Sequence, residues 1–266
     1  LPIGVFDSGV GGLTVLRALR AALPSEDFLY LGDTARLPYG TKSAATVSRY
    51  AAQAADALAA RGIKCLVVAC NTASSVAIPD LTARLAPVPV IGVIEPGAAG
   101  AVKATRNGRI AVIATEGTVR GGAYPRSIAA LAPDVVVAQK ACPLFVSLAE
   151  EGWTDGPIVE AVARRYLEPM FEGNDAPDTL LLGCTHFPAL IAPLRRVVGS
   201  SMTIVDSAET TASAVRDNLD RLELRRDSGI GTVRLLATDG PERFARVGSV
   251  FSGEPIAAGE VELVDL

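Results

Sequence analysis

The sequence has few of the residues that mark several large classes of protein. Its 266 residues include one histidine and four cysteines, and the net charge at pH 7 is only −4. Four cysteines are too few for a disulfide framework in a chain of this length, so we expect free thiols that serve packing, metal binding or catalysis. Lysines and arginines are scattered singly, which excludes the basic stripe that a nucleic-acid-binding protein presents to phosphates.

Long apolar runs are absent as well. A membrane-spanning helix needs about 18–20 apolar residues, and Glu95, Pro96 and several glycines interrupt the best candidate, at residues 86–102. The N-terminal segment LPIGVFDSG has neither the basic start nor the small-residue cleavage site of a signal peptide. We therefore expect a cytoplasmic protein without a membrane partner, and its 49% hydrophobic content suffices for one large core or two modest ones.

Nine short runs rich in Val, Ile and Leu predict β-strands, and each is followed by a segment of helical character. The runs are IGVF, FLYL, CLVVA, VIGV, RIAVIA, VVVAQ, TLLLG, TIVD and VRLLA. The Ala-rich segment from Ser43 to Arg61 carries apolar residues at three- and four-residue spacing, which is typical of an amphipathic helix. Strands that alternate with helices predict an α/β fold with mostly parallel sheets, covered on both faces.

Two segments 114 residues apart resemble each other. LVVACNTASSVAIP and LLLGCTHFPALIAP each contain an apolar strand, a cysteine at its end and a proline nine places after the cysteine. We infer two pseudo-symmetric, doubly wound domains, one formed by residues 1–92 with 207–266 and the other by residues 93–206. Ligands bind at the carboxyl ends of parallel strands, so Cys70 and Cys184 should face one active-site cleft between these domains.

The two cysteines have polar neighbours that packing alone would not require. A buried cysteine commonly behaves as a small apolar side chain, and this is our interpretation of Cys65 and Cys142. A reactive thiol, with a reference pKa of about 8.5, needs a neighbour that takes its proton or stabilises its anion. Asp7 ends the first strand and could assist Cys70, while His186 follows Cys184 by two residues.

Zinc and a dinucleotide are the rival ligands for these motifs. Cys184 and His186 lack the second close pair that a structural zinc site needs. The turn GVGG at residues 9–12 is followed by Thr14, where a dinucleotide-binding motif has its third glycine. We therefore predict neither a metal nor a cofactor, and we expect the glycines to let backbone N–H groups approach an anion, such as a carboxylate.

Six motifs together resemble those of the glutamate racemases, in order and spacing, over residues 4–206. They are GVFDSGVGGLTV, GDTARLPYG, ACNTAS, GVIEPG, CPLFVSLAEEG and GCTHFP. The resemblance implies a cofactor-independent isomerase that interconverts L- and D-glutamate and supplies D-glutamate for peptidoglycan. In such an enzyme one cysteine thiolate removes the α-proton, and the other thiol delivers a proton to the opposite face.

The resemblance also implies a role for each site residue. Cys70 would deprotonate D-glutamate with the help of Asp7, and Cys184 would deprotonate L-glutamate with the help of His186 and Glu150. The implied substrate contacts are Asp7, Ser8, Pro38, Tyr39, Gly40, Asn71, Thr72, Thr115, Thr118, Thr185 and His186. Ser147 stands where many members of the family have proline.

Two other functions stay open from the sequence. A related racemase could act on aspartate or a hydantoin, and a non-catalytic amino-acid-binding regulator could retain the same pocket. A decarboxylase with a single cysteine is disfavoured, because both cysteines are present. The partner we expect is a small molecule, glutamate, and a homodimer is one assembly that the sequence allows.

Overall fold

The computed structural model describes residues 1–173 and 175–266, which form two separate parallel β-sheets flanked by helices. The strands are β1 (Ile3–Asp7), β2 (Phe28–Gly32), β3 (Cys65–Val68), β4 (Val90–Gly92), β5 (Arg109–Ala114), β6 (Val136–Ala141), β7 (Thr179–Gly183), β8 (Thr203–Asp206), β9 (Val233–Ala237) and β10 (Val261–Leu263). The six-stranded sheet has the order β10-β9-β2-β1-β3-β4, and the four-stranded sheet has the order β6-β5-β7-β8. The predicted α/β fold with parallel sheets is confirmed.

Twelve α-helices alternate with these strands in the described part of the chain. They are α1 (Leu13–Ala22), α2 (Ala44–Ala59), α3 (Asn71–Ser74), α4 (Ile78–Leu85), α5 (Ile94–Ala104), α6 (Glu116–Gly121), α7 (Ala123–Leu131), α8 (Leu144–Glu150), α9 (Pro157–Leu167), α10 (Ile191–Val198), α11 (Ser207–Arg221) and α12 (Pro241–Ser252). In α2, the residues Val47, Ala51, Ala54, Ala55 and Leu58 form the buried face, at the spacing noted in the sequence. None of the helices in the described residues is long and apolar enough to cross a membrane.

The two sheets repeat one strand order. The sequence β2-β1-β3-β4 in the first sheet corresponds to β6-β5-β7-β8 in the second, so β3 and β7 occupy equivalent positions. Both strands are fully buried and, apart from Thr179 at the start of β7, apolar, because parallel strands covered on both faces need side chains that tolerate burial on both sides. Cys70 and Cys184 therefore emerge at matching places, just beyond the carboxyl ends of these strands.

The C-terminal strands lie beside the first sheet, although most of that sheet comes from residues before 93. β9 pairs with β2, and β10 pairs with β9 at the edge of the sheet. The second sheet takes all its strands from residues 109–206. The division into domains at residues 92/93 and 206/207 stays a prediction. All nine predicted strands are present, and β10 was missed because it is a three-residue edge strand with two exposed residues.

Candidate active site

A cavity of about 200 Å³ lies at the carboxyl ends of the central strands of both sheets. Ser8 follows β1, Cys70 follows β3, Thr115 follows β5 and Cys184 follows β7, and all four line this cavity. The other sequence-predicted residues in its wall are Pro38, Tyr39, Gly40, Asn71, Thr72, Glu150, Thr185 and His186. Asp7 and Thr118 do not line the cavity and lie fully buried behind its wall. All four cysteines are free thiols.

Cys70 is a buried thiol at the start of the short helix α3. Its Sγ donates to the Ser8 hydroxyl at 3.5 Å and accepts from the Ala73 N–H at 3.5 Å. Burial raises the pKa of Cys70 to about 12, the Asp7 carboxylate adds to this rise, and the two hydrogen bonds oppose it. Cys70 therefore holds its proton near neutral pH.

Asp7 is held behind Cys70 by the glycine turn that follows β1. The Gly9 N–H donates to Asp7 Oδ2 at 2.9 Å, and a Cβ at Gly12 would lie 2.5 Å from the Cβ of Asp7. Burial raises the pKa of Asp7, while His186 and the backbone N–H groups of the turn lower it. The carboxylate bound by these N–H groups is that of Asp7, which corrects the expectation that the turn binds a ligand anion.

Cys184 begins a row of polar groups in contact with one another, which ends at Arg243 in α12. Its Sγ lies 3.8 Å from His186 Nδ1, and His186 Nε2 lies 3.1 Å from Glu150 Oε1. The other carboxylate oxygen of Glu150 accepts from the Arg243 guanidinium at 2.9 Å. The row thus joins the end of β7 to α8 and then to α12.

The charges in this row stabilise one another. Burial lowers the pKa of His186, but its contacts with Cys184 and Glu150 outweigh burial and raise the pKa to about 10. Burial likewise raises the pKa of Glu150, but His186 and Arg243 outweigh it and bring the pKa down to about 2. Near neutral pH the pair is therefore an imidazolium and a carboxylate, with a ring N–H directed at Cys184 Sγ.

The hydroxyl of Tyr39 is not directed into the cavity. It donates to the carboxylate of Asp33, which is fully buried and also accepts from Arg36 and Thr238. Tyr39 therefore presents its ring and backbone to the cavity. At Gly40 a Cβ would lie 2.8 Å from the Cβ of Thr115, so the glycine permits a close approach between the two sides of the cleft.

Three threonine hydroxyls join the two sides of the cleft. The Oγ1 atoms of Thr72 and Thr115 are 3.0 Å apart, those of Thr115 and Thr118 are 3.1 Å apart, and those of Thr72 and Thr118 are 3.3 Å apart. Thr118 reaches a ligand only through the other two, because it lies outside the cavity wall.

Sequence reasoning missed Arg243 and Tyr124. Arg243 is 93 residues from Glu150 and belongs to none of the recognised motifs. Tyr124 accepts a hydrogen bond from the Asn71 amide, and it lies in α7, between the two cysteine-containing segments that resemble each other. No spacing or composition signal points to either contact, since each forms only when distant helices pack.

The sequence is similar to those of known proteins. A sequence model of the Asp/Glu/Hydantoin racemase family matches residues 3–215. The chain belongs to this family. The glutamate racemase of Geobacter metallireducens is 51% identical over 265 residues, which cover 99% of this chain and 96% of that protein. The glutamate racemase of Thermus thermophilus is 47% identical over 268 residues, which cover 100% and 98%.

Solved structures agree with this assignment. The Francisella tularensis glutamate racemase in complex with D-glutamate superposes with a TM-score of 0.91 at 36% identity, over 99% of this chain and 97% of that one. The Bacillus anthracis glutamate racemase isoform RacE1 gives a TM-score of 0.94 at 36% identity, over 100% and 97%. An aspartate racemase from Picrophilus torridus, at 17% identity and a TM-score of 0.60, shares the fold. Within this family the chain thus belongs to the glutamate racemases, which are amino-acid isomerases. The resemblance indicated by its sequence motifs is confirmed.

Proposed function

We propose that the protein interconverts L- and D-glutamate without a cofactor, by proton transfer between two cysteines. The observation that carries this proposal is the placement of Cys70 and Cys184, which come from equivalent strands of two different sheets and open into one cavity. Inversion at a carbon needs a base on one face and an acid on the other, and paired thiols supply both. We further propose that the protein acts in the cytoplasm and supplies D-glutamate for peptidoglycan, as its family does.

The proton path follows from the surroundings of each thiol. With L-glutamate bound, the Cys184 thiolate takes the α-proton, and Cys70 gives its own proton to the opposite face of the carbanion. The His186 imidazolium, held by Glu150, stabilises the negative charge on Cys184. After one turnover the protonation states of the two thiols are exchanged, and the site is ready for D-glutamate.

Asp7 assists the reverse direction. When Cys70 acts as the base, it must first lose the proton that its raised pKa retains. Asp7 lies behind Cys70, and burial raises the pKa of its carboxyl, which makes it a better proton acceptor than an exposed aspartate. Cys70 and Asp7 are thus the counterparts of Cys184 and His186.

Hydrogen-bond donors offset the charge that develops on the substrate. The α-proton of an amino acid is a very weak acid, so catalysis requires donors fixed at the carboxylate that receives the negative charge. We assign the α-carboxylate and the amine to Asn71, Thr72 and Thr185, with Thr115 and Thr118 supporting Thr72. The side-chain carboxylate of glutamate is assigned to Ser8, Pro38, Tyr39 and Gly40, for which backbone N–H groups serve at Tyr39 and Gly40.

The proposal includes two points of organisation. We assign residues 1–92 and 207–266 to one domain and residues 93–206 to the other, because each sheet takes its strands from one of these sets. A homodimer is the proposed assembly, since the protein leaves large apolar side chains exposed, among them Leu144, Trp153 and Ile158. Light scattering on the purified protein measures the assembly, and a monomer at all concentrations would contradict the dimer.

Incubation with each glutamate enantiomer in deuterated water tests the function. Circular dichroism follows inversion, and proton NMR follows loss of the α-hydrogen signal. We expect both enantiomers to racemise with deuterium at the α-carbon of the product. Inversion of aspartate without inversion of glutamate would assign the chain to the related racemases instead, and binding of glutamate without any exchange would favour the regulator.

A further inference from the structure

The amide of Asn71 has one bonded end and one unbonded end. Asn71 lies in the cavity wall and is only 3% exposed. Its Nδ2 donates to the hydroxyl oxygen of Tyr124 at 2.9 Å, whereas its Oδ1 is buried and has no hydrogen-bond partner among the described residues. A buried acceptor without a partner is unfavourable, so this oxygen calls for a donor that a ligand would bring.

The orientation of the amide follows from a chain of hydrogen bonds behind it. Ser207 Oγ lies 3.3 Å from the backbone carbonyl of Leu182, which can only accept, so the serine donates there. Burial raises the pKa of Tyr124, and hydrogen-bond contacts with Asn71 and Ser207 lower it. The Ser207 proton is committed to Leu182 and Tyr124 accepts from Asn71, so the Tyr124 proton is the one left for its contact with Ser207. The Asn71 oxygen must then face away from Tyr124.

The ring of Tyr124 is fixed in place by two glycines. A Cβ at Gly183, the last residue of β7, would lie 2.9 Å from the ring, and a Cβ at Gly97 in α5 would lie 3.3 Å from both the ring and the hydroxyl. Tyr124 itself is fully buried. Since the neighbouring backbones close around the ring, the hydroxyl has one position from which to receive the Asn71 amide.

We infer that Tyr124 is a positioning residue that holds Asn71 Oδ1 toward the cavity, where it accepts a hydrogen bond from the α-ammonium of the substrate. An ammonium carries donors and no acceptor, so it selects the oxygen of the amide and is repelled by the NH₂ group. This inference rests on the proposed function for the identity of the substrate. Under this inference Asn71 binds the ammonium of glutamate. The hydroxyl and N–H donors of the cavity wall bind its α-carboxylate.

Two substitutions test this row of hydrogen bonds, and both residues lie outside the cavity wall. Tyr124→Phe keeps the ring but leaves the Asn71 amide free to rotate. Ser207→Ala removes the acceptor of the Tyr124 proton, so that Tyr124 donates to Asn71 and turns the NH₂ group into the cavity. We expect each variant to raise KM for both glutamate enantiomers about tenfold, the size of a lost hydrogen bond to a charged group. Tyr166→Phe, which removes a tyrosine hydroxyl elsewhere, is the control and should leave KM unchanged.

Inhibition by glutarate separates positioning from general damage. Glutarate has both carboxylates of glutamate and no ammonium, so its inhibition constant should be the same in the wild type and in the two variants. The double variant should be no worse than Tyr124→Phe alone, because both changes act on one amide. Equal losses for glutamate and glutarate, additive losses in the double variant, or an unchanged KM would each overturn the inference.

Calorimetric titration keeps this test apart from that of the proposed function. If the wild type binds glutamate but does not racemise it, the proposed function fails while the role of Tyr124 can still be measured. In that case the variants should lose affinity for glutamate about tenfold relative to the wild type, again the size of one hydrogen bond to a charged group. Retention of full affinity for glutamate in both variants would refute the role of Tyr124.

Discussion

Glu150 and His186 form an ion pair with a separation of 3.1 Å, and the pair connects α8 to the loop that follows β7. Its two members are largely shielded from water, since their side chains are 15% and 8% exposed. In such surroundings each charge depends on the other, and the raised pKa of His186 keeps a proton available beside Cys184. The pair therefore connects the chemistry of one thiol to the packing of two elements.

Glu150→Gln should lower the pH at which the enzyme loses activity on the alkaline side. The amide can still hydrogen-bond His186, but it removes the negative charge that helps to raise the pKa of the imidazole to about 10. We expect the alkaline limb of the kcat profile to move toward neutral pH and kcat to fall about tenfold or more. Profiles of kcat against pH for both enantiomers check this.

Glu151→Gln is the matched control for that variant. Glu151 is the next residue and lies exposed, so the same change of charge occurs without contact with His186. Its profile should coincide with that of the wild type. A shift of equal size in both variants would mean that the overall charge at the C-terminal end of α8, and not the ion pair, sets the alkaline limb.

The same pair makes the stability of the fold depend on pH. The pKa of His186 is raised from 6.5 to about 10, so its contribution is complete below 6.5 and is lost as pH rises toward 10. The pKa of Glu150 is lowered from 4.5 to about 2, so its contribution is present above 4.5 and is lost as pH falls toward 2. Thermal unfolding should show Tm of the wild type falling between pH 6.5 and 10 more steeply than Tm of Glu150→Gln. Identical slopes would refute this account.

Cys70→Ser and Cys184→Ser should each reduce kcat/KM by about 10²–10⁴ in both directions, because a serine hydroxyl is a far weaker acid than a thiol. Equal loss in both directions is required, since the equilibrium constant of racemisation is unity. Cys65→Ala is the control, because Cys65 is fully buried in β3 and faces the apolar core. An unchanged rate in either serine variant, measured by circular dichroism, would exclude the two-base scheme.

Asp7→Asn tests which thiol the buried carboxylate serves. Because kcat/KM must fall equally in both directions, the primary deuterium isotope effect is the informative measurement. Loss of the Asp7 carboxylate as the proton acceptor for Cys70 should slow proton removal by this thiol, so the isotope effect should increase with α-deuterated D-glutamate and change less with the L-enantiomer. Glu150→Gln should give the reverse pattern. The same pattern in both variants would contradict separate assistance of the two thiols.

The sequence identifies the parts of this site that follow strands. Cys70 and Cys184 were predictable, because each ends an apolar run and parallel strands deliver their carboxyl ends to one place. The resemblance between the two cysteine-containing segments predicted that two such places would meet. Both inferences use local pattern together with general rules for α/β folds, and they need no knowledge of side-chain packing.

Contacts between distant helices were not predictable in this way. Arg243 reaches Glu150 only because α12 packs back over the first half of the chain, and Tyr124 reaches Asn71 only when α7 and α3 meet. The glycine turn after β1 was expected to bind an anion, but the nearest carboxylate is that of Asp7. Local sequence defines which groups can pair, and the tertiary packing selects the partner.

Tyr39→Phe should affect stability and leave substrate binding unchanged. The Tyr39 hydroxyl donates to the fully buried carboxylate of Asp33, so its removal should lower the free energy of unfolding by about 1.5–3 kcal/mol. KM for glutamate should not change, because Tyr39 presents its backbone and ring to the cavity. Denaturant unfolding and steady-state kinetics check the two parts. Tyr50→Phe, whose ring centroid lies 5.8 Å from that of Tyr39, is the control. A raised KM with unchanged stability would mean that the Tyr39 hydroxyl turns to the substrate, since a ligand carboxylate would then compete with Asp33 for the same proton.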